Sequence, residues 1–234
     1  MRVDRLLANL GYGSRREVAG FLSSGRVTQP DGTPVSIEAR VGYSQLRFDG
    51  LPLDPPAPLT LIMHKPAGYT CSNDDAGPLI YDLLPPRFSR RNPSLAIAGR
   101  LDKDTSGLLI LTDDGTLLHR IISPKKEIWK TYEATLARPL SGREPEVFAS
   151  GTLLLHGETN PCRPAKLDIF GETRVRVSLT EGRYHQVRRM FAAVGNHVET
   201  LHRSGIGQLN LEGLPERSWR ALKAEDLKNL FQAG

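Results

Sequence analysis

The apolar pattern of residues 1–40 predicts two helices followed by short strands. Apolar residues recur three and four positions apart in two places: Val3, Leu6, Leu7 and Leu10, then Val18, Phe21 and Leu22. Ser14 and Glu17 have the spacing of a capping box at the start of the second helix. Residues 26–28 and 35–37 flank a Pro-Asp-Gly turn, which predicts a small hairpin of two strands.

Residues 51–58 interrupt the pattern with four prolines in eight positions. Proline cannot donate to a sheet ladder, so this segment is excluded from the interior of a sheet and favours an extended linker. We therefore expect a domain boundary here, with a small domain at 1–58 and a large one at 59–234.

The larger part mixes strand and helix patterns. Short apolar or alternating runs predict strands at 59–63, 95–98, 108–111, 128–136, 166–170, 174–179 and 198–201. Helical spacing predicts helices at 116–122 and from about residue 186, the second with Val187, Met190, Phe191 and Val194 on its apolar side. This order of elements predicts an α+β fold.

Composition narrows the class of protein further. The chain has 234 residues, 39% of them hydrophobic, and a net charge of +5, which is ordinary for a globular protein and mildly favours an anionic partner. Cys71 and Cys162 lie far apart without metal-type spacing, so we expect a reducing cytoplasm and no disulfide. No signal peptide and no apolar run of membrane-spanning length is present in the sequence, which predicts no membrane association.

One acidic loop stands out as candidate chemistry. Asp102 lies in a Gly-flanked polar segment directly before the apolar run 108–111, and rigidly held loops often carry catalytic side chains. An acidic residue in such a loop more often closes a turn or caps a helix. A metal-dependent nuclease using Asp102, Asp104, Asp113 and Asp114 is an alternative, although no further ligand pattern joins these acids. Walker-type and dinucleotide-type glycine patterns are absent, so no nucleotide cofactor is expected.

Four motifs resemble those of the RNA pseudouridine synthases, in the branch that modifies ribosomal RNA. They are Lys-Pro-x-Gly at 65–68, Gly-Arg-Leu-Asp-x-x-Thr-Ser-Gly-Leu-Leu at 99–109, Lys-x-Tyr at 130–132, and Gly-Arg-x-His-Gln-Val-Arg-Arg-Met-Phe at 182–191. His64 stands where the family often has Asn. The resemblance implies isomerisation of uridine to pseudouridine, a mixed and mainly antiparallel sheet flanked by helices, and no cofactor or metal.

The resemblance also implies roles for single residues. Asp102 would be the catalytic carboxylate and Arg188 the cation paired with it, while Tyr132 would stack on the base and help to remove its C5 proton. Val187 would pack against the base in a pocket that includes Arg100. The residues expected to contact flanking RNA are Arg100, Arg183, His185 and Arg189. A salt bridge made by its helix is an equal alternative for Arg189. Lys65 would approach an RNA phosphate or complete a structural salt bridge.

The N-terminal segment resembles the S4 RNA-binding domain through Arg-Val-Asp-Arg-Leu-Leu-Ala, Ser-Arg-Arg-Glu and Ser-Gly-Arg-Val-Thr. Arg2, Arg5, Arg15 and Arg16 would then bind phosphates, because a guanidinium matches phosphate oxygens with a planar fork. On charge alone, a solvated helix face is the favoured explanation of these arginines.

Within the family, the S4-like segment and the stretch 189–203 look most like the enzymes of the small-subunit (16S) branch. The expected partner is ribosomal RNA in a small-subunit assembly intermediate, bound by a monomer. A large-subunit (23S) enzyme and a non-catalytic RNA-binding assembly factor are the alternatives.

Overall fold

The computed structural model describes residues 1–232 of the chain. Within them, the α-helices are α1 Val3–Asn9, α2 Arg15–Ser23, α3 Gly115–Ile122, α4 Glu144–Ala149, α5 Gln186–Ala193 and α6 Ala224–Leu230. The strands are β1 Val27–Thr28, β2 Arg47–Phe48, β3 Leu51–Pro52, β4 Thr60–Lys65, β5 Ala96–Ile97, β6 Thr105–Thr112, β7 Lys130–Leu136, β8 Lys166–Ile169, β9 Arg174–Leu179, β10 Val198–Ile206, β11 Leu209–Asn210 and β12 Trp219–Ala221. None of the described helices has the length and apolar composition needed to cross a membrane.

The N-terminal part packs α1 and α2 against a three-stranded sheet in the order β1-β2-β3. The two predicted helices and the capping box are confirmed: the backbone N–H of Glu17 donates to the Ser14 hydroxyl, and the Ser14 N–H donates to the Glu17 carboxylate. The predicted strand at 35–37 is wrong, because β1 pairs with β2 instead and Pro34 makes a single bridge to Thr28. Proline at that position removes a donor that a second ladder would need.

Close contacts join the N-terminal part to the segment around the turn Pro86–Arg90. The Arg87 guanidinium forms an ion pair with Asp54, with Nη2 donating to Oδ1 at 2.9 Å. The backbone N–H of Asn92 donates to the carbonyl of Asn9 at 2.9 Å. At Gly11, with a φ of +85°, an added Cβ would lie 2.0 Å from the Arg87 carbonyl oxygen, so only glycine allows this approach.

The large sheet runs in the order β12-β4-β6-β10-β7-β9-β8, with β5 beside β6 and β11 beside β10. Among these pairs, β6 and β10 run parallel and the others antiparallel. This confirms the predicted α+β class with a mixed, mainly antiparallel sheet. The strands predicted at 108–111 and 198–201 were too short, since β6 begins at Thr105 and β10 continues to Ile206.

Alternate residues of β6 pack on opposite faces of this sheet. Leu109 and Leu111 belong to the larger buried cluster with α4 and α5, whereas Leu108 and Ile110 belong to a second cluster with α3 and α6. The strand is buried on both faces, which explains why its sequence is a continuous apolar run rather than an alternating one. The first face carries the candidate site.

Candidate active site

Asp102 lies in the loop between β5 and β6, with 31% of its side chain exposed. Its own carbonyl accepts the backbone N–H of Thr105, the first residue of β6, at 3.1 Å. This turn ties the aspartate directly to a buried strand, as the sequence predicted. The carboxylate is therefore accessible while its backbone is fixed.

Lys65, at the end of β4, is hydrogen-bonded to the backbone of that loop. Its side chain is fully buried, and its ammonium donates to the carbonyls of Pro66, Asp102, Lys103 and Thr105 at 2.7–3.1 Å. Burial lowers the pKa of this lysine; the nearby acidic groups, including Asp102, oppose the shift, whereas the positive charge of Arg203 adds to it. The expectation of a phosphate contact or a salt bridge is corrected, because all the donors of Lys65 point at the protein's own backbone.

A second buried cation, Arg203 on β10, holds the other side of the same loop. Its Nη2 donates to the Gly99 carbonyl at 3.1 Å and its Nε to the Leu108 carbonyl at 2.8 Å. Sequence reasoning missed Arg203, because a single arginine inside a strand pattern has no local signal for this role. The glycine opposite it is also required: Gly107 has a φ of +114°, and a Cβ there would lie 2.3 Å from the Arg203 carbonyl oxygen.

Asp102 lines a cleft of about 460 Å³, a volume that includes the solvent at the mouth of the cleft. Six residues predicted from the sequence line this cleft: Arg100, Asp102, Tyr132, Arg183, His185 and Val187. Arg100 is exposed, whereas Tyr132 and Val187 are buried and form part of the apolar wall of the cleft. The wall also includes three leucines that sequence reasoning did not assign to the site: Leu101, Leu179 and Leu201. Leu179 and Leu201 lie on β9 and β10, whereas Leu101 lies in the loop beside Asp102.

His185 is the charged or polar side chain that approaches Asp102 most directly. Its Nε2 lies 3.4 Å from Asp102 Oδ1, which makes an ion pair when the imidazole is protonated. The residue precedes α5 in a left-handed conformation, with φ 48° and ψ 35°. Non-glycine residues adopt this conformation rarely, and such strain is concentrated at functional sites.

The expected ion pair between Arg188 and Asp102 is not present. The Arg188 guanidinium donates instead to the Val198 carbonyl at 2.9 Å and to the Asp104 carbonyl at 3.4 Å. The start of α5 brings Val187 and the preceding His185 to the cleft, and Arg188 lies beside the backbone of the loop that carries Asp102. This corrects the pairing that the sequence resemblance implied.

Arg183 and Arg189 bind an irregular segment of the same chain. Arg183 Nη1 donates to the Asn160 carbonyl and Arg189 Nη2 to the His156 carbonyl, both at 2.7 Å. Both guanidiniums also form ion pairs with Glu158. Both guanidiniums are engaged within the protein, which corrects the expected contact with RNA phosphates; for Arg189 the alternative of a salt bridge is the one observed. The partner segment is distant in the chain, so these contacts could not be recognised in the sequence.

The N-terminal arginines are exposed, as a phosphate contact requires. Arg2, Arg5 and Arg15 line one surface hollow together with Asp4, which forms an ion pair with Arg2 at 3.2 Å. Arg16 is exposed on α2 but does not line this hollow.

Two of the acids considered for a nuclease site have structural partners. Asp114 caps α3 by accepting the backbone N–H groups of Thr116 and Leu117, and Asp113 accepts the N–H of Leu59 at 2.6 Å. Across residues 1–232, no three His, Cys, Asp or Glu side chains are grouped as a metal site would require. The four acids therefore do not form one site.

The cleft, its carboxylate and the surrounding motifs belong to an enzyme that acts on RNA. A model of the family described as RNA pseudouridylate synthase matches residues 60–193, and the chain belongs to this family of isomerases. It is 41% identical to "Ribosomal small subunit pseudouridine synthase A" of Yersinia pestis, over 98% of each chain. The protein of the same name from Escherichia coli (strain K12) is 40% identical, over 98% of this chain and all of that one.

A solved structure supports the same assignment over the whole chain. The protein titled "Crystal structure of pseudouridylate synthase" superposes with a TM-score of 0.70 at 37% identity, covering 98% of this chain and 99% of that one. Both the N-terminal part and the large sheet are therefore included in the likeness.

Proposed function

We propose that this protein converts one uridine of small-subunit (16S) ribosomal RNA to pseudouridine, with Asp102 as the catalytic carboxylate. The observation that carries the proposal is the position of Asp102, which is accessible at the wall of a cleft that also presents Tyr132 and Val187. The choice of RNA is supported by relatives about 40% identical over nearly the full chain, which are named for the small ribosomal subunit.

The reaction balances without an added reactant. The bond between ribose C1′ and base N1 breaks, the base rotates, and a new bond joins C1′ to C5. The proton that C5 loses is replaced by one gained at N1, so substrate and product are isomers. Attack by the carboxylate at C1′, attack at the base and removal of a ribose proton all begin with the carboxylate facing the target nucleotide.

The other residues of the cleft have supporting roles in this proposal. Tyr132 stacks on the target base and assists removal of the C5 proton, while Val187 packs against the base. His185 orients and pairs with the Asp102 carboxylate. Arg188 fixes the catalytic loop through the Asp104 carbonyl rather than through the carboxylate itself.

A uridine in folded RNA reaches such a cleft only after leaving its base stack. We propose that the exposed Arg100 contacts the backbone beside the extruded nucleotide. Residues 1–58 act as an S4-like RNA-binding domain in which Arg2, Arg5, Arg15 and Arg16 bind a second RNA segment. The enzyme works as a monomer on a small-subunit assembly intermediate.

Tritium release tests this proposal. The RNA is labelled at uridine C5 and offered as free small-subunit RNA, as small-subunit assembly particles and as large-subunit RNA. We expect release from the small-subunit substrates, because the C5 proton is lost in every turnover, and mapping of the product identifies the target. Release from large-subunit RNA alone would overturn the choice of RNA, and tight RNA binding without any release would favour a non-catalytic assembly factor.

A further inference from the structure

Tyr184 presents an unusually exposed ring at the edge of the catalytic cleft. At 76% exposure, it is the most exposed large hydrophobic side chain in residues 1–232. Its two neighbours in the chain, Arg183 and His185, both line the cleft that contains Asp102. Packing of the core does not require a ring in this position, because the side chain is mostly in solvent.

The ring is nevertheless held in a defined place. It stacks on the imidazole of His185, with 3.9 Å between ring centroids and 15° between ring planes. The carbonyl of Tyr184 accepts a hydrogen bond from Arg189 Nη1 at 3.1 Å. The imidazole beneath it reaches Asp102 at 3.4 Å, so the phenol ring, the imidazole and the carboxylate follow one another from the surface into the cleft.

We propose that the outer face of Tyr184 stacks on a nucleobase directly flanking the target uridine. This inference rests on the proposed function. When a uridine leaves the stack, a neighbouring base loses its stacking partner, and an exposed aromatic ring supplies a replacement that accepts any base. One face of Tyr184 is already covered by His185, which leaves the opposite face open for a base.

The stacking is measured by combining protein and RNA changes. The RNA is a fragment around the mapped target, prepared intact and with an abasic residue at the 5′ or the 3′ neighbour. We compare kcat/KM from tritium release for wild type, Tyr184→Ala and Tyr184→Phe. On intact RNA, Tyr184→Ala should lower kcat/KM roughly 5- to 150-fold, the range measured when a stacking aromatic is removed, and Tyr184→Phe should remain close to wild type.

The abasic fragments give the decisive comparison. With an abasic residue at the stacked position, the loss caused by Tyr184→Ala should fall below about twofold, because the stacking partner is already gone. Phe170→Ala is the matched control, since Phe170 is also an exposed aromatic but lies beyond the end of β8, in the turn that leads to β9. It should have wild-type activity on every RNA, and urea unfolding checks that both alanine variants are folded.

Several outcomes would overturn the inference. An equal loss for Tyr184→Ala on all three fragments, or no loss on intact RNA, would show that the ring does not stack on a flanking base. A loss confined to assembly particles, with naked RNA unaffected, would assign the ring to a contact with a ribosomal protein. Absence of tritium release by wild type on every RNA would overturn the proposed function itself. Release by wild type, with a Tyr184→Ala loss that is the same on intact and abasic RNA, would overturn this inference alone.

Discussion

Replacing Lys65 by methionine tests whether a buried cation positions the loop that carries Asp102. The ammonium has three N–H donors and lies 2.7–3.1 Å from four carbonyls, including that of Asp102. Each hydrogen bond from a charged group contributes about 1.5–3 kcal/mol, and removal of the donor leaves buried carbonyls without it. Methionine has similar length but no charge, so it also removes the cost of burying the ammonium.

These opposing effects leave a net destabilisation of about 3 kcal/mol for Lys65→Met, within the range observed when one partner of a buried charged contact is removed. With an m-value of about 3 kcal/mol/M, the urea midpoint should fall by about 1 M. The loop should also lose its fixed geometry. Since displacements on the order of 1 Å cost about 100-fold in rate, we expect kcat to fall about 10- to 100-fold while KM changes less.

The assays are urea unfolding at pH 7 and tritium release at saturating RNA. Lys103→Met is the matched control, because Lys103 belongs to the same loop but its side chain is exposed. That variant should keep wild-type stability. A Lys65→Met protein with a free energy of unfolding within about 0.5 kcal/mol of wild type and an unchanged kcat would refute the reasoning.

Two further predictions concern the sheet. Gly107→Ala should lower the free energy of unfolding by about 2–5 kcal/mol, because the new Cβ would overlap the Arg203 carbonyl at a φ of +114°. The control Gly115→Ala, at an open position in α3, should leave stability unchanged or raise it. Equal urea midpoints for the two variants would contradict this account. Lys130 has its pKa lowered to about 8, chiefly by burial, against 10.5 in the unfolded chain. The folded state therefore loses this proton first, and wild-type stability should rise between about pH 8 and 10.5 by up to about 3 kcal/mol relative to Lys130→Met. Urea unfolding across this range measures the difference, and parallel pH profiles would show that Lys130 is not perturbed.

The elements predicted correctly are those specified by neighbouring residues. The capping box of Ser14 and Glu17 depends on a spacing of three residues, and the hairpin of β8 and β9 depends on a short turn. The strand at 35–37 failed because the partner of β1 is β2, about twenty residues further along the chain. Local alternation cannot distinguish a paired strand from an extended segment next to a proline.

The same limit applies to the site. Asp102, Tyr132 and Val187 meet in one cleft as the motifs implied. For Lys65 a structural role was one of two expectations, but its contacts with backbone carbonyls and the burial of Arg203 were not predicted, because basic residues usually remain in solvent. The resemblance therefore implied RNA contacts for some side chains that the structure engages in internal hydrogen bonds.

The contacts of motif arginines give the clearest example. Arg183 lies before α5 and Arg189 within it, yet both bind the same irregular segment through Glu158. Their role depends on where that segment passes in three dimensions. The sequence of the motif specifies the donors, and the fold specifies which acceptors they meet.

The most direct test of the central claim is single-turnover tritium release by Asp102→Asn, compared with Asp104→Asn. The two acids belong to one loop, but Asp102 lines the cleft whereas Asp104 is exposed and contributes its backbone carbonyl to Arg188. We predict that Asp102→Asn releases no tritium above background although it binds the RNA, and that Asp104→Asn stays within a fewfold of wild type. Release by Asp102→Asn at the wild-type rate would contradict the assignment of this carboxylate.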